Sequence, residues 1–199
     1  MSRPNTSVAV PANSTGIVNV LRERRPAVIL GVAPGAKGQP AWSPDAPSTV
    51  RLADLAGLQL RDLPVSYALD NLVPYPDPGR TALREAGQLY QFLPGFWYVL
   101  AGYDVLRALG KRVRAKKSSA LPYYAAGPAV LQWYESSEGV VLACLPHPSG
   151  RNHWYNEAPN RKAAQKFLRE TAGGGKGKGG GAHAQFLAAR VAADKARAK

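Results

Sequence analysis

Gly139-Val140-Val141-Leu142-Ala143-Cys144-Leu145-Pro146-His147-Pro148-Ser149-Gly150-Arg151-Asn152 is the stretch whose reading decides the fold. Its first half is a short apolar run of the buried-strand type. Its second half is a stiff turn that exposes a histidine and a serine. Pro148 fixes its own φ and biases His147 towards extended geometry. Gly150 permits a sharp turn or a close approach to another molecule. Arg151 and Asn152 add a cation and an amide at the tip, a combination suited to meeting a phosphate and a base edge together.

Working outward, the same strand-then-turn grammar recurs. Ala27 to Leu30 reads as a buried strand running into Gly31-Val32-Ala33-Pro34-Gly35. Val65 to Val73 reads as a second strand closed by Pro74-Tyr75-Pro76-Asp77-Pro78-Gly79, and Phe96 to Leu100 as a third that turns at Gly102. Between them lie helical stretches: Ser48 or Thr49 to Ala56 with Gly57 as the stop, Thr81 to Leu93, and Tyr103 to Leu109. In the second, Leu83, Ala86, Leu89, Tyr90 and Leu93 fall on or near one face. Val130 to Tyr134 reads as an edge strand, and Ala158 to Thr171 as a helix with Pro159 in its first turn. Short apolar strands alternating with helices predict a three-layer α/β/α sandwich around a small, mainly parallel sheet. In such sheets ligands bind beyond the carboxyl ends of the strands. That rule directs the Gly31–Gly35 turn, Asn71 and the His147–Asn152 turn to one crevice.

The domain is expected to span residues 26–172. Residues 1–25 read as a loose basic arm, and residues 173–199 as a Gly/Lys-rich linker followed by a basic helix or tail. The chain of 199 residues carries 26 Lys and Arg against 13 Asp and Glu, a formal charge of +13. Such a balance favours polyanionic partners. The segment from Arg107 to Lys117 holds six basic residues and no acid. No apolar run approaches the ~20 residues that span a bilayer, so no membrane partner is expected. The single cysteine, Cys144, excludes an intrachain disulfide and a multi-cysteine metal site, and reads as an inert core thiol. His147, His153 and His183 lack zinc-ligand spacing, so no metal and no cofactor are expected. A cytoplasmic monomer is the default expectation.

Taken in order, four of these pieces resemble the motifs of the uracil-DNA glycosylase superfamily. Gly31-Val32-Ala33-Pro34-Gly35 is similar to its first motif, Asp70-Asn71-Leu72-Val73-Pro74 to the segment whose Asn reads a pyrimidine edge, Phe96 to Gly102 to its third strand and glycine turn, and Leu145-Pro146-His147-Pro148-Ser149 with Asn152 to its His-Pro-Ser motif. The resemblance spans roughly residues 27–170 and implies DNA as the partner, with association to the nucleoid through it. It implies removal of uracil, or of a related damaged or modified pyrimidine, by hydrolysis of the N-glycosidic bond. His147 would stabilise the departing base and Asn71 would read its O4 and N3–H edge. Gly31, Ala33 and Gly35 would line the base site, with Trp42 or Tyr75 stacking on the base. Ser149, Gly150, Arg151 and Asn152 would meet the DNA at the gap left by a flipped nucleotide, and Arg112 and Arg114 its phosphates.

The resemblance has two departures. Val32 and Ala33 stand where several branches carry an Asp, Asn or Glu that activates water, which leaves Asp45, Asp70 and Asp77 as open candidates. Branches with an Ala-Pro first motif commonly hold a four-cysteine iron–sulfur cluster, which this chain cannot ligate. The loss of the polar group supports an alternative expectation, a non-catalytic nucleic-acid-binding protein on the same scaffold. A weaker one makes the tail an anchor to RNA or to a protein partner.

Overall fold

The computed structural model describes residues 25–33, 42–76, 78–115, 130–149, 152–172 and 181–198. In chain order these form β1 (Ala27–Gly31), α1 (Pro47–Ala56), α2 (Leu63–Ser66), β2 (Tyr67–Asn71), α3 (Arg80–Leu89), β3 (Trp97–Ala101), α4 (Tyr103–Leu109), β4 (Tyr134–Glu135), β5 (Val141–Leu145), α5 (Ala158–Thr171) and α6 (Ala182–Arg197). The strand order is β2-β1-β3-β5-β4. All pairs are parallel except β4 with β5, which adds an antiparallel edge. The expected small, mainly parallel α/β sandwich is the fold observed.

Both faces of the sheet are covered, which explains why its strands are apolar throughout rather than alternating. On one face Ala27, Ile29, Val99 and Leu145 pack with Leu52 and Leu55 of α1 and Phe167 and Leu168 of α5. On the other face Val28, Leu30, Leu100 and Cys144 pack with Leu106 and Leu109 of α4 and Phe186 of α6. Burial pushes the Cys144 thiol up to about 12, consistent with an inert core position. The register aligns the strand ends: Gly31 lies beside Asn71, and Ala101 beside Leu145.

Several boundaries differ from the sequence reading. The expected strand from Val65 begins as helix α2, with Pro64 in its first turn, and becomes extended only at Tyr67. Helix α3 ends at Leu89, which is exposed rather than on the packed face. Its buried contact is Gly87, where a Cβ would stand 2.4 Å from the Ala108 backbone, so α3 and α4 approach closely. The run from Val130 to Tyr134 is broken by Leu131 in a left-handed conformation (φ 66), leaving a bridge at Val130 and the short strand β4. Neither Ser48 nor Thr49 caps α1. Ala46 does so without a side-chain bond, and Gly57 closes the helix in the left-handed region as expected.

At the C-terminus the expected basic helix is formed over Ala182–Arg197, and it is packed rather than a free tail. Helix α6 packs on β2, β1 and α2. Phe186 is buried edge-to-face against Phe96. Arg190 pairs with Asp70 at 2.6 Å, and His183 Nδ1 accepts the Leu69 N–H at 3.2 Å. The helix thereby covers one face of an edge strand that the sequence reading left open. The arm before residue 25 and the linker over 173–180 lie outside the described residues.

Candidate functional site

The four parallel strands end at one level, and three of the predicted site residues meet there. Gly31 closes β1 under the side chain of Asn71: a Cβ on Gly31 would stand 2.4 Å from Asn71 Oδ1 and 3.0 Å from the Trp42 ring. The Asn71 amide therefore reaches across from β2 onto the end of β1, and only glycine leaves it room. Trp42 is held in place by its Nε1–H, which donates to the Asp70 carbonyl at 2.9 Å. Its backbone is left-handed (φ 55), a conformation a bulky residue adopts only when its surroundings impose it. Tyr75, the alternative stacking residue, is exposed. Leu72 and Val73 donate to the carbonyls of Gly31 and Val32, which stitches the two loops together beyond the strands.

His147 lies on the turn that follows β5, two strands from β1 in the sheet. It packs against Gly102, at the end of β3, where a Cβ would stand 2.9 Å from His147 Cβ. Gly102 has a φ of 100, so glycine is required there on conformational grounds as well. β1 and β3 are neighbours, and neighbouring strands lie about 4.8 Å apart. The Asn71 amide and the His147 ring thus lean over adjacent strand ends. Burial lowers the His147 pKa below its ordinary value, which favours the neutral ring, and Asp104 opposes that shift only in part.

The loop carrying His147 is clamped from within. The Pro146 carbonyl accepts the Tyr155 hydroxyl, the His147 carbonyl accepts Asn152 Nδ2 at 3.0 Å, and the Ser149 carbonyl accepts Arg51 at 2.8 Å. Asn152 Oδ1 also accepts the Trp154 N–H at 3.1 Å. The Asn152 side chain is therefore spent on the loop itself and does not stand out as a DNA contact. Tyr155 is buried in the core beneath this turn, and Trp154 is partly buried against the same cluster.

Other expected residues also fall elsewhere. Arg112 is a structural clamp. Its guanidinium donates to the Gly87 and Tyr90 carbonyls at 2.7 Å each and pairs with both oxygens of Glu138 at 2.8 and 3.0 Å, which leaves little of it for a phosphate. Arg114 is half-buried, and its Nε is buried without a partner among the described residues. Asp70 is not free to activate water. Its Oδ1 accepts the Asn71 N–H at 2.9 Å, and its Oδ2 accepts the Tyr90 hydroxyl at 2.8 Å as well as Arg190. Asp45 is exposed. Ala33 and Ser149 are half-buried at the crevice, whereas Gly35, Asp77, Gly150 and Arg151 lie outside the described residues.

Asp104, exposed in the first turn of α4 and two residues after the Gly102 turn, is a charge acting on His147 that the sequence reading did not single out. Among the described residues no group of three or more His, Cys, Asp or Glu stands together as a metal site, and no helix is long and apolar enough to cross a membrane. Compared with known proteins, the chain matches no family model and no curated sequence.

Proposed function

We propose that the protein is a DNA glycosylase hydrolysing the N-glycosidic bond of uracil or of a related damaged or modified pyrimidine. One observation carries this reading: Asn71 and His147 each lie against a glycine, and those glycines end neighbouring strands. A pyrimidine flipped out of a duplex and seated between them would offer O4 and N3–H to the Asn71 amide and O2 to His147. The neutral imidazole donates one N–H to O2, where negative charge grows as the bond breaks. The C1′–N1 bonding pair leaves with the base, and the oxygen of a water molecule bonds to C1′. The water proton is released and the departing base is protonated in turn. Asp104 is the carboxylate that influences His147, and we assign it the polarising of that water. Trp42 supplies a ring face beside the Asn71 amide for stacking. DNA is the partner, bound by one copy of the chain, and the protein's location follows the DNA.

A base-excision panel tests this. Oligonucleotides containing uracil, hypoxanthine or 5-hydroxymethyluracil are incubated with the protein and then cleaved with alkali. Abasic product from a pyrimidine substrate is expected. No product from any of them at high enzyme overturns the hydrolytic reading. His147→Ala should abolish product while the melting temperature holds, and unchanged activity would refute its role.

A second reading, DNA binding without base release, draws on a specific observation. Val32 and Ala33 carry no polar side chain, and the Asp70 carboxylate is already bonded on both oxygens. It predicts salt-sensitive binding with no abasic product.

A further inference from the structure

A cleft of about 800 Å³ opens between α3 and α4 beside the crevice. Arg80 and Arg84 line it from α3, Arg107 and Asp104 from α4, and Val32 from the turn after β1. Three features set it apart from an ordinary basic surface. First, Arg80, Arg84 and Arg107 are exposed, and none has a hydrogen-bond or ion-pair partner among the described residues. Arg112, Arg161 and Arg190, by contrast, all have a carboxylate partner. Among the described lining residues Asp104 is the single carboxylate against three guanidiniums, so the cleft keeps an excess of positive charge that an anion would relieve. Second, Arg80 and Arg84 stand one helical turn apart, so their charges form a row and not a single focus. Third, the cleft shares its neighbourhood with the candidate base site: Val32, in its lining, directly follows Gly31 in the chain, and Asp104, also in its lining, follows the Gly102 turn against which His147 packs.

Without a Cβ at Gly87 the backbones of α3 and α4 meet at Ala108, and Arg80 and Arg84 of α3 line one opening with Arg107 of α4.

The geometry points to a phosphodiester track: the cleft holds two successive phosphates of the DNA strand that leaves the candidate base site. A row of cations suits a strand, and the chain's overall charge of +13 suits a polyanion more than a small phosphate ester. The inference rests on the proposed function for the identity of the polymer, but not on base release.

The test uses the full chain and an undamaged duplex, so that binding is read without catalysis. Fluorescence anisotropy across a salt series gives the slope of log affinity against log salt. Each phosphate contact contributes about 0.9 to that slope. Arg84→Gln/Arg107→Gln should therefore flatten it by about 1.8. Lys166→Gln on α5, across the sheet, should leave it unchanged. Arg80→Gln/Arg84→Gln provides a second reading confined to α3 should the first variant fold poorly. Equal slopes for wild type and a folded cleft variant overturn the proposal. So does a variant that loses affinity for inorganic pyrophosphate while keeping the wild-type DNA slope, because the cleft would then serve a small phosphate ligand. A flattened slope together with a negative base-excision panel would sink the glycosylase reading and leave the track standing.

Discussion

Replacing Phe186 with alanine asks whether the last helix belongs to the fold. The ring is 1% exposed, lies 5.5 Å from the Phe96 ring in an edge-to-face pair, and has the Arg190 guanidinium 5.2 Å from its centroid. Truncating a phenylalanine buried to this degree costs about 3–5 kcal/mol in lost transfer energy and residual cavity. In a domain of this size each kcal/mol shifts the melting temperature by about 2–4 °C, so Phe186→Ala should lower it by about 6–20 °C. Leu187, the next residue, is 49% exposed, and Leu187→Ala should change stability by no more than about 0.5 kcal/mol. Thermal unfolding of the full chain, followed by far-ultraviolet circular dichroism or scanning calorimetry, measures both. A helix fraying from the domain would make the two variants equally harmless. A shift below about 2 °C for Phe186→Ala would refute the docked helix and, with it, the assignment of Asp70 to an anchoring role.

Gly31→Ala puts a methyl group 2.4 Å from Asn71 Oδ1 and 3.0 Å from the Trp42 ring, which displaces the amide. Base excision should fall by roughly a hundredfold with little loss of stability, and an unchanged single-turnover rate would mean that this amide does not read the base. The pH dependence of stability has a definite sign. Burial lowers the pKa of both His147 and His183, each against a partial opposing effect of Asp104 and Asp70 respectively. The unfolded chain therefore binds more protons below pH ~6.5, and stability present above that value is lost as pH falls through the lowered folded values. His183→Gln keeps an acceptor for the Leu69 N–H but cannot be protonated. Its urea midpoint should fall less than the wild type's between about pH 8 and about pH 5.5, and parallel falls would exclude His183 as a cause.

The fold was legible wherever one segment carried its own signal. Tyr103–Leu109 and Ala158–Thr171 are helices over the ranges read from their spacing, and the apolar runs at Ala27 and Val141 are central strands. What stayed hidden depended on partners far along the chain. Alanine-rich α6, following a glycine-rich run, offers few apolar anchors, and its docking rests on contacts 114 and 120 residues away. Arg112 sits in a run of cations that reads as a solvated face, yet its acceptors are the carbonyls that α3 leaves unpaired at its end. The crevice itself was legible as a rule of topology, because parallel strands ending in glycine and proline turns must place those turns together. The Asn71–Gly31 and His147–Gly102 approaches follow from that rule. The arginine cleft does not, since it depends on how closely two helices pack.

Asp70 joins the two halves of the problem. The sequence offered it as a substitute for the polar group missing at Val32 and Ala33. In the structure one oxygen fixes the backbone N–H of Asn71, and the other receives Tyr90 from the segment after α3 and Arg190 from α6. A carboxylate bonded in this way holds the start of the Asn71 turn in one conformation, and the last helix is one of its supports. Losing Arg190 would therefore leave a half-buried charge short of its counter-ion directly beneath the residue proposed to read the base. The chain thus spends its nearest acid on keeping Asn71 still. Under the proposed function, polarising the water is assigned to Asp104, whose charge acts on His147. The proposed function therefore ties base recognition to α6 and β2 and bond cleavage to β3, α4 and β5, and predicts that substitutions in the two groups separate binding from rate.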